Sequence, residues 1–340
     1  MLKLRRGVVS GIEPLMVRVG DQERPAWADR SLVGEVREGD EVIVNVEARD
    51  LGLGSGGFDL VHVNLTRGLD APGAGEAAAM KLNYSSLQHP VDPAESRPVE
   101  GAGRPIPVLV LSLHGQLAPA AWAAGRVGSG MRVGYIQTAG GALPGALSED
   151  VAELRRRELL CDHVTAGPAY GGEHEAISVP GALAASAGPL GWDAAIAGPG
   201  PGIVGSGSAL GHGGMAALET AHSALALGFE TLIAPRMSSA DPRERHRGLS
   251  HHTETVLGLL LGDVQVPAPL GDEAALDRLR MSCGDRHEVQ PREVAIGEYA
   301  ASGLSATHMG RSIGEDPLFF AAALAAGDAL AAAALVEEAA

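Results

Sequence analysis

Lysine is nearly absent from this 340-residue chain: only Lys3 and Lys81 occur, leaving 24 of the 26 basic residues as arginine. This excludes a phosphate-binding P-loop, because that motif needs a lysine directly after its glycines and none follows the glycine-rich stretch at 198–214. Cysteine is as scarce. Cys161 and Cys283 are far apart and have no cysteine neighbours, so Cys-x-x-Cys metal and redox motifs are excluded, and two reduced buried thiols are expected rather than a disulfide. Aromatic residues make up 3% of the chain, so a core drawn from its 45% hydrophobic content must be built of Ala, Val, Leu and Ile. No apolar run of signal-peptide length follows the basic residues near Met1. The most lipid-like stretch, Leu318 to Val336, is interrupted by Gly327 and Asp328 and reads as a buried or intersubunit helix rather than a membrane span. These features predict a cytoplasmic protein with no membrane partner. A formal charge of −16 repels a polyanion, which argues against nucleic acid as a partner.

Residues 1–66 carry short, β-branched, partly alternating runs separated by Gly-Asp turns, as in Gly7-Val-Val-Ser-Gly, Leu15-Met-Val-Arg-Val and Phe58-Asp-Leu-Val-His-Val. That spacing predicts a small β-barrel-like domain. Asp50-Leu-Gly-Leu-Gly-Ser-Gly-Gly, before the last run, serves either as a structural turn or as part of a ligand site. Residues 67–104 lose regular periodicity and read as a connector with one ordered piece around Ala79 to His89. From residue 105 to 340, apolar strands alternate with helical patterns. The strands are expected at Pro107–Leu113, Arg132–Thr138, Asp162–Gly167, Asp193–Ala197 and Glu230–Ala234, and the helices near 117–126, 147–160, 176–188 and 213–227. A repeat of strand and helix every ~25–35 residues is what right-handed βαβ crossovers require. The predicted fold is therefore α/β: a small β-barrel-like domain followed by a doubly wound, mostly parallel sheet with crossover helices, a Rossmann-like order being one of several possibilities. Beyond a helix starting near Ser250, Val266 to Gly271 reads as a Pro-Gly linker before a short helix at Asp272 to Arg280.

Open parallel sheets bind ligands beyond the carboxyl ends of their strands. Two loops there are rich in chemistry. In the first, Gly200-Pro-Gly-Ile-Val-Gly fits the spacing of a dinucleotide fingerprint, but it follows the fourth strand rather than the first and no acidic residue ends the next strand. A looser anion loop fits better, built from Gly200, Gly202, Gly205, Ser206, Gly207 and Ser208, with His212 as a further donor. The second loop, Asp241-Pro-Arg-Glu-Arg-His-Arg-Gly-Leu-Ser-His-His-Thr, concentrates arginine and histidine in an acidic protein. Ser250 is a good N-cap, which places His251 and His252 in the first helical turn, where the helix dipole disfavours an imidazolium. Arg243, Arg245 and Arg247 could hold a carboxylate or phosphate there, Arg245 and Arg247 being the chosen anion ligands, and Asp241, His251 and His252 are the candidates for proton transfer. His114, at the end of the first strand, joins the ligand-binding set. No metal-ligand spacing such as His-Glu-x-x-His occurs and no metal site is assigned; a site assembled in three dimensions from His114, Asp241, His246, His251 or His252 is the alternative. No Gly-x-Ser-x-Gly elbow is present, and no cofactor is indicated.

Several stretches resemble the bacterial family of unknown function DUF3866: Asp50-Leu-Gly-Leu-Gly-Ser-Gly-Gly, Met80-Lys-Leu-Asn-Tyr-Ser-Ser-Leu-Gln, His114-Gly-Gln-Leu-Ala-Pro, Ala142-Leu-Pro-Gly-Ala-Leu-Ser, Gly198-Pro-Gly-Pro-Gly-Ile-Val-Gly-Ser-Gly-Ser, Arg245-His-Arg-Gly-Leu-Ser-His-His-Thr and Met309-Gly-Arg. They span almost the whole chain. The resemblance implies no reaction. An aspartate often stands in that family's pattern where this chain has Ala139, so this chain cannot use a carboxylate there.

The expected function is that of an enzyme, a hydrolase or group transferase, acting on a small anionic metabolite of phosphorylated or nucleotide-like type bound between loops 198–214 and 236–253. The competing expectation is a non-catalytic metabolite-binding or self-assembling protein; homo-oligomers are expected in either case.

Overall fold

The computed structural model describes residues 1–54, 56–69, 73, 77–98 and 105–339. Ser55 of the glycine stretch and part of the expected connector, including 99–104, lie outside the described residues. The chain forms two compact units, Met1–Val91 and Asp92–Ala340.

In the first unit, β1 (Leu4–Ile12), β2 (Leu15–Val19), β3 (Gln22–Trp27), β4 (Glu41–Asn45) and β5 (Asp59–Asn64) close into a barrel in the order β1-β2-β3-β5-β4. Two single-turn helices, α1 (Arg30–Val33) and α2 (Glu47–Asp50), lie between strands. The period-two pattern is plain in β4: Val42 and Val44 are fully buried beside Val9 and Val17, while Glu41, Ile43 and Asn45 are half-exposed. β3 has little apolar character, and the sequence gives no strand there. Its Arg24 is buried, and its guanidinium is neutralised by Asp59 and by Asp50 at 2.7 Å, so an ion-paired side chain occupies a strand position that is usually apolar. The hairpin β6 (Ala79–Lys81) and β7 (His89–Val91) is the ordered piece of the connector.

The second unit is built on eight strands: β8 (Val108–Val110), β9 (Val133–Thr138), β10 (His163–Ala166), β11 (His174–Ala176), β12 (Ala194–Pro199) and β13 (Thr231–Ile233), followed, after the short β14 (Met237–Ser238) and β15 (Gly248–Leu249), by β16 (Gln265–Pro269) and β17 (Glu288–Arg292). Their order is β11-β10-β9-β12-β8-β13-β16-β17, every pairing is parallel, and β14–β15 forms a separate antiparallel pair. This departs from the dinucleotide-binding order, in which the first two strands are neighbours; here β12 lies between β8 and β9.

The helices are α3 (Leu117–Val127), α4 (Glu149–Arg156), α5 (Val179–Ala187), α6 (Ala216–Ala226), α7 (His251–Leu259), α8 (Glu273–Cys283), α9 (Ile296–Ala300) and α10 (Pro317–Ala339), with the small hairpin β18 (Thr307–His308) and β19 (Arg311–Ser312) before the last. Alternate strand residues feed two cores. Val108 and Val110 pack with residues of α5 to α8 on one face, and Leu109 and Leu111 with residues of α3, α4, α9 and α10 on the other. The sheet is doubly wound.

The sequence reading also lacks β11 and β17 and takes one strand for a linker. Val266 to Gly271 belongs largely to a buried strand, β16, not a linker. The amide of Leu270 donates to Arg292 and the carbonyl of Val264 accepts from Glu288, so even-numbered backbone groups face β17. Pro267 and Pro269 have the opposite parity and face β13, which pairs only at Gln265, so neither proline interrupts a ladder bond. The apolar C-terminal stretch is the one described helix long and apolar enough to cross a membrane, over Pro317–Val336, and 72% of it is buried within the fold. Gly327 lets it approach α3 closely, since a Cβ there would fall on the Ala120 carbonyl. Phe319 and Phe320 beside it supply much of the scarce aromatic burial, at roughly 1.5–3 kcal/mol each.

Candidate functional site

The connections leaving the central strands β12, β8 and β13 border one cleft of about 520 Å³ at their carboxyl ends. The β8 loop contributes Leu113, His114 and Gly115. Gln116, fully buried, holds it in place: its Oε1 accepts from the amides of Ser112 and Leu113 and its Nε2 donates to the Pro235 carbonyl of the β13 loop at 3.1 Å. The β12 loop contributes Pro201 to Gly205, Gly207, Ser208 and His212. The β13 loop and the start of α7 contribute Arg236, Arg243, Arg245, His246, His251 and His252, and the β18–β19 hairpin adds His308 and Met309.

Four imidazoles cluster at the floor. His212 and His252 stack with centroids 3.6 Å apart and planes 6° from parallel. His251 stands edge-on to both, at 5.7 Å and 4.5 Å, and His246 lies 4.8 Å from His251. Ser250 organises this end: as N-cap its hydroxyl accepts from the His252 amide at 3.2 Å, and it is hydrogen-bonded to His246 Nδ1 at 2.7 Å. Nε2 of His212 donates to the Ala209 carbonyl at 3.0 Å, which leaves Nδ1 as the acceptor; that atom is buried without a partner, as is Nε2 of His251. Burial pushes the basicity of His212, His246, His251 and His252 down, and the guanidinium of Arg236 pushes it further. His308, stacked on Phe319 at 3.8 Å, is lowered to about 4 mainly by burial. The cleft therefore offers neutral imidazoles.

Its fixed positive charge comes from arginine. Arg236 is only 4% exposed, donates to His252 Nδ1 at 3.1 Å, and is lowered to about 10 by burial. Asp241, fully buried behind it, takes Arg243 at 2.8 and 2.9 Å, Arg236 at 3.5 Å and Arg311 at 3.6 Å. Burial alone would raise the Asp241 carboxyl, but the Arg243 hydrogen bonds and the surrounding guanidiniums outweigh it and hold the carboxyl far below the usual range. Asp316, likewise buried, accepts from Ser238, Ser239 and Arg311 and ties the hairpin to the β13 loop.

The chain matches, over residues 25–327, the family described as Protein of unknown function (DUF3866). It belongs to that family. No curated protein and no solved structure matches it.

Within this DUF3866 chain, the residues singled out from sequence divide into two groups. Gly202, Gly205, Gly207, Ser208, Arg245, His114, His251 and His252 line the cleft. Gly200, Ser206, Arg247 and Asp241 do not. Gly200 packs against the Ala142 carbonyl and Gln137, and Gly213 against Gly140, so these glycines let the β9 and β12 loops meet backbone to backbone. Ser206 is hydrogen-bonded to Ser208 and to the Gly211 carbonyl. With Gly213 donating to Val204 and Gly205 bridging His212, the glycine loop closes on itself. The amides of Ser206, Gly211 and Gly213 are thereby taken up within the loop. Arg247 is exposed and reaches the Asp241 carbonyl at 3.4 Å. Asp241 hydrogen-bonds to arginines rather than to a histidine, so its carboxylate orients guanidiniums. His114 is held by the Pro199 carbonyl and Ser148 Oγ, and burial lowers it to about 4. Arg243 was weighed from sequence as an anion ligand beside Arg245 and Arg247, and His246 only for the alternative metal site; Arg236 and His308 were not among the predicted site residues. Arg236 lies inside the stretch flagged as chemically rich, whereas His308 arrives from a distant hairpin whose only signal was the neighbouring Met309-Gly-Arg.

Proposed function

We propose that this protein is an enzyme that binds a small anionic metabolite in the cleft and hydrolyses it or transfers a group from it. The observation that carries this reading is the convergence of Arg236, Arg243 and Arg245 with the neutral imidazoles of His212, His246 and His251 at the carboxyl ends of the central strands. Guanidiniums recognise carboxylate and phosphate oxygens through paired N–H donors. A neutral imidazole can accept or pass on a proton near neutral pH, worth typically ~10²–10⁴ in rate. The volume, about 520 Å³, suits a metabolite of phosphosugar or nucleotide size rather than a polymer. In this reading Arg245 and Arg236 hold the anion, Arg243 is kept in register by Asp241, and His251, with no metal ion on it, is the proton-transfer group. Low cysteine content and the arginine-paired acidic surface favour a cytoplasmic setting. A homo-oligomer belongs to the same proposal, although α10 is largely used up inside its own subunit.

The test is a thermal-shift screen of phosphate- and carboxylate-bearing metabolites on the full chain, followed by turnover assays on the compounds that bind. In metal-free protein Arg245→Gln should abolish the shift, and His251→Gln should keep the shift while losing turnover. Binding without turnover of any hit would favour the non-catalytic sensor; no anion response at all would remove the proposal.

A further inference from the structure

We propose that His212, His251 and His252 form a binding site for a divalent first-row metal ion of the zinc class, and that this ion binds together with the anion. The second half of the proposal rests on the anion-binding reading of the cleft; the first half does not.

The argument starts from lone pairs. The His212 ring is 9% exposed, and its Nε2–H is fixed on the Ala209 carbonyl, so Nδ1 presents a bare lone pair with no partner. Leaving such an acceptor buried and unmet costs on the order of 1–3 kcal/mol. An imidazole whose far nitrogen is anchored on a carbonyl is also how metal-ligating histidines are held. His251 Nε2 is buried without a partner too. The two rings have centroids 5.7 Å apart and planes 78° apart. Two imidazoles sharing one ion at N–metal distances of ~2.0–2.1 Å have centroids roughly 5 Å apart, close to the spacing of these two rings. One ligand atom from each of the three rings already lies within 4.8 Å of the others. Gly214 keeps that point open, since a Cβ there would stand 3.0 Å from His212 Nδ1 and 3.3 Å from His252 Nδ1.

His252 is the conditional ligand. Its stack on His212 keeps one ion from lying in both ring planes, and Arg236 Nη1 occupies its Nδ1 at 3.1 Å. Through Nδ1 it joins only by tilting out of the stack while Arg236 turns toward Asp241, already 3.5 Å from it. Charge sets the remaining condition. A dication beside the guanidiniums of Arg236, Arg243 and Arg245 is opposed by like charge, and an anion bound among them relieves that opposition. Ion and anion should therefore strengthen each other reciprocally. A donor set of neutral imidazoles, without carboxylate or thiolate, selects zinc, cobalt, nickel or copper over magnesium and calcium. Sequence spacing could not reveal the site, because His212 reaches it from a different loop.

The full chain, stripped with a chelator, would be titrated with Co²⁺ by visible absorption and with Zn²⁺ by calorimetry, with and without inorganic phosphate. One ion per chain is expected, bound several-fold more tightly with phosphate. His212→Gln and His251→Gln should each weaken it by about tenfold or more, while His62→Gln in β5 leaves it unchanged. Should either variant fail to fold, the wild-type protein still decides: Zn²⁺ should shield His251 from carbethoxylation mapped by mass spectrometry, and His62 should stay reactive. No saturable Co²⁺ binding, equal affinity in folded His251→Gln, or no shielding would overturn the metal site. Phosphate binding in the metal-free arm tests the anion reading separately. Phosphate binding by a protein that takes up no Co²⁺ when it is offered overturns the metal site alone, and Co²⁺ bound at these histidines with no phosphate effect retains the site and overturns the linkage.

Discussion

Replacing Asp241 by Asn separates two roles for that carboxylate. As a proton-transfer group, its loss would remove turnover and leave the fold intact. As the counter-ion that holds the cleft arginines, its loss would lower stability and anion affinity together. The structure favours the second role: Oδ1 accepts from the Arg243 amide at 3.0 Å and from Nε at 2.9 Å, and Oδ2 faces Arg243, Arg236 and Arg311. Asparagine keeps one acceptor but turns N–H donors toward guanidiniums. Breaking a buried pair from one side costs ~3–5 kcal/mol. The Arg243 side chain is 41% exposed and recovers water, and Arg311 keeps Asp316 at 3.1 Å, so the uncompensated charge is mainly Arg236, whose side chain is 4% exposed. The lower end, about 3 kcal/mol, is therefore expected. For a unit of this size that lowers the melting temperature by roughly 6–12 °C. Urea unfolding of wild type, Asp241→Asn, Arg236→Gln and the double variant would measure it, with a coupling of at least about 1 kcal/mol between the two sites. A loss below about 0.5 kcal/mol with turnover abolished would refute the counter-ion role and restore Asp241 as a proton-transfer group.

Further predictions follow from residues away from the histidine cluster. His114 and His163 are lowered by burial to about 4 and about 3. In the unfolded chain both protonate near their ordinary value, so their stabilising contribution is full above about pH 6.5 and is lost as pH falls through the folded values. Between about pH 6.5 and 5 the pair should lose about 3 kcal/mol, read by urea unfolding, and His163→Asn should flatten the slope. Gly213→Ala drives a Cβ into the Gly140 carbonyl and to 2.7 Å from Ile203 Cγ1, and should cost about 2 kcal/mol in a denaturation series; an unchanged midpoint would deny the backbone contact between the β9 and β12 loops. Cys161 and Cys283 are unpaired, and burial raises their thiols to about 12 and about 11, so both should react slowly with an aromatic disulfide reagent until the protein is denatured.

What could be read from the sequence was what local pattern encodes. The barrel strands β1, β2, β4 and β5 and the sheet strands β8, β9, β10, β12 and β13 carry β-branched or apolar runs, and the helices between them carry their periodicity. The elements that were missed owe their state to a distant partner. β3 depends on Asp59 for its arginine, β11 is three residues paired beside β10, and β16 tolerates two prolines only because β13 stops early on that side. The site divides in the same way. The α7 cap, the neutral first-turn histidines and the arginine-rich loop follow from short-range rules, although burial rather than the helix dipole is the main reason the imidazoles stay neutral. Asp241 looks like a catalyst in a linear reading; in the fold its oxygens meet Arg243, Arg236 and Arg311, partners that no local pattern reveals. Gly200 and Ser206 are engaged by partners that only the fold brings to them, whereas Ser208 lines the cleft.

The most direct measurement is a crystal structure of the full chain soaked in tungstate, an anion whose anomalous signal locates it without ambiguity. The account predicts a single strong peak in the cleft, within hydrogen-bonding reach of Arg236 or Arg245 and facing the first turn of α7, and its loss in Arg245→Gln. Peaks confined to the outer surface, with the cleft filled by ordered water alone, would contradict it.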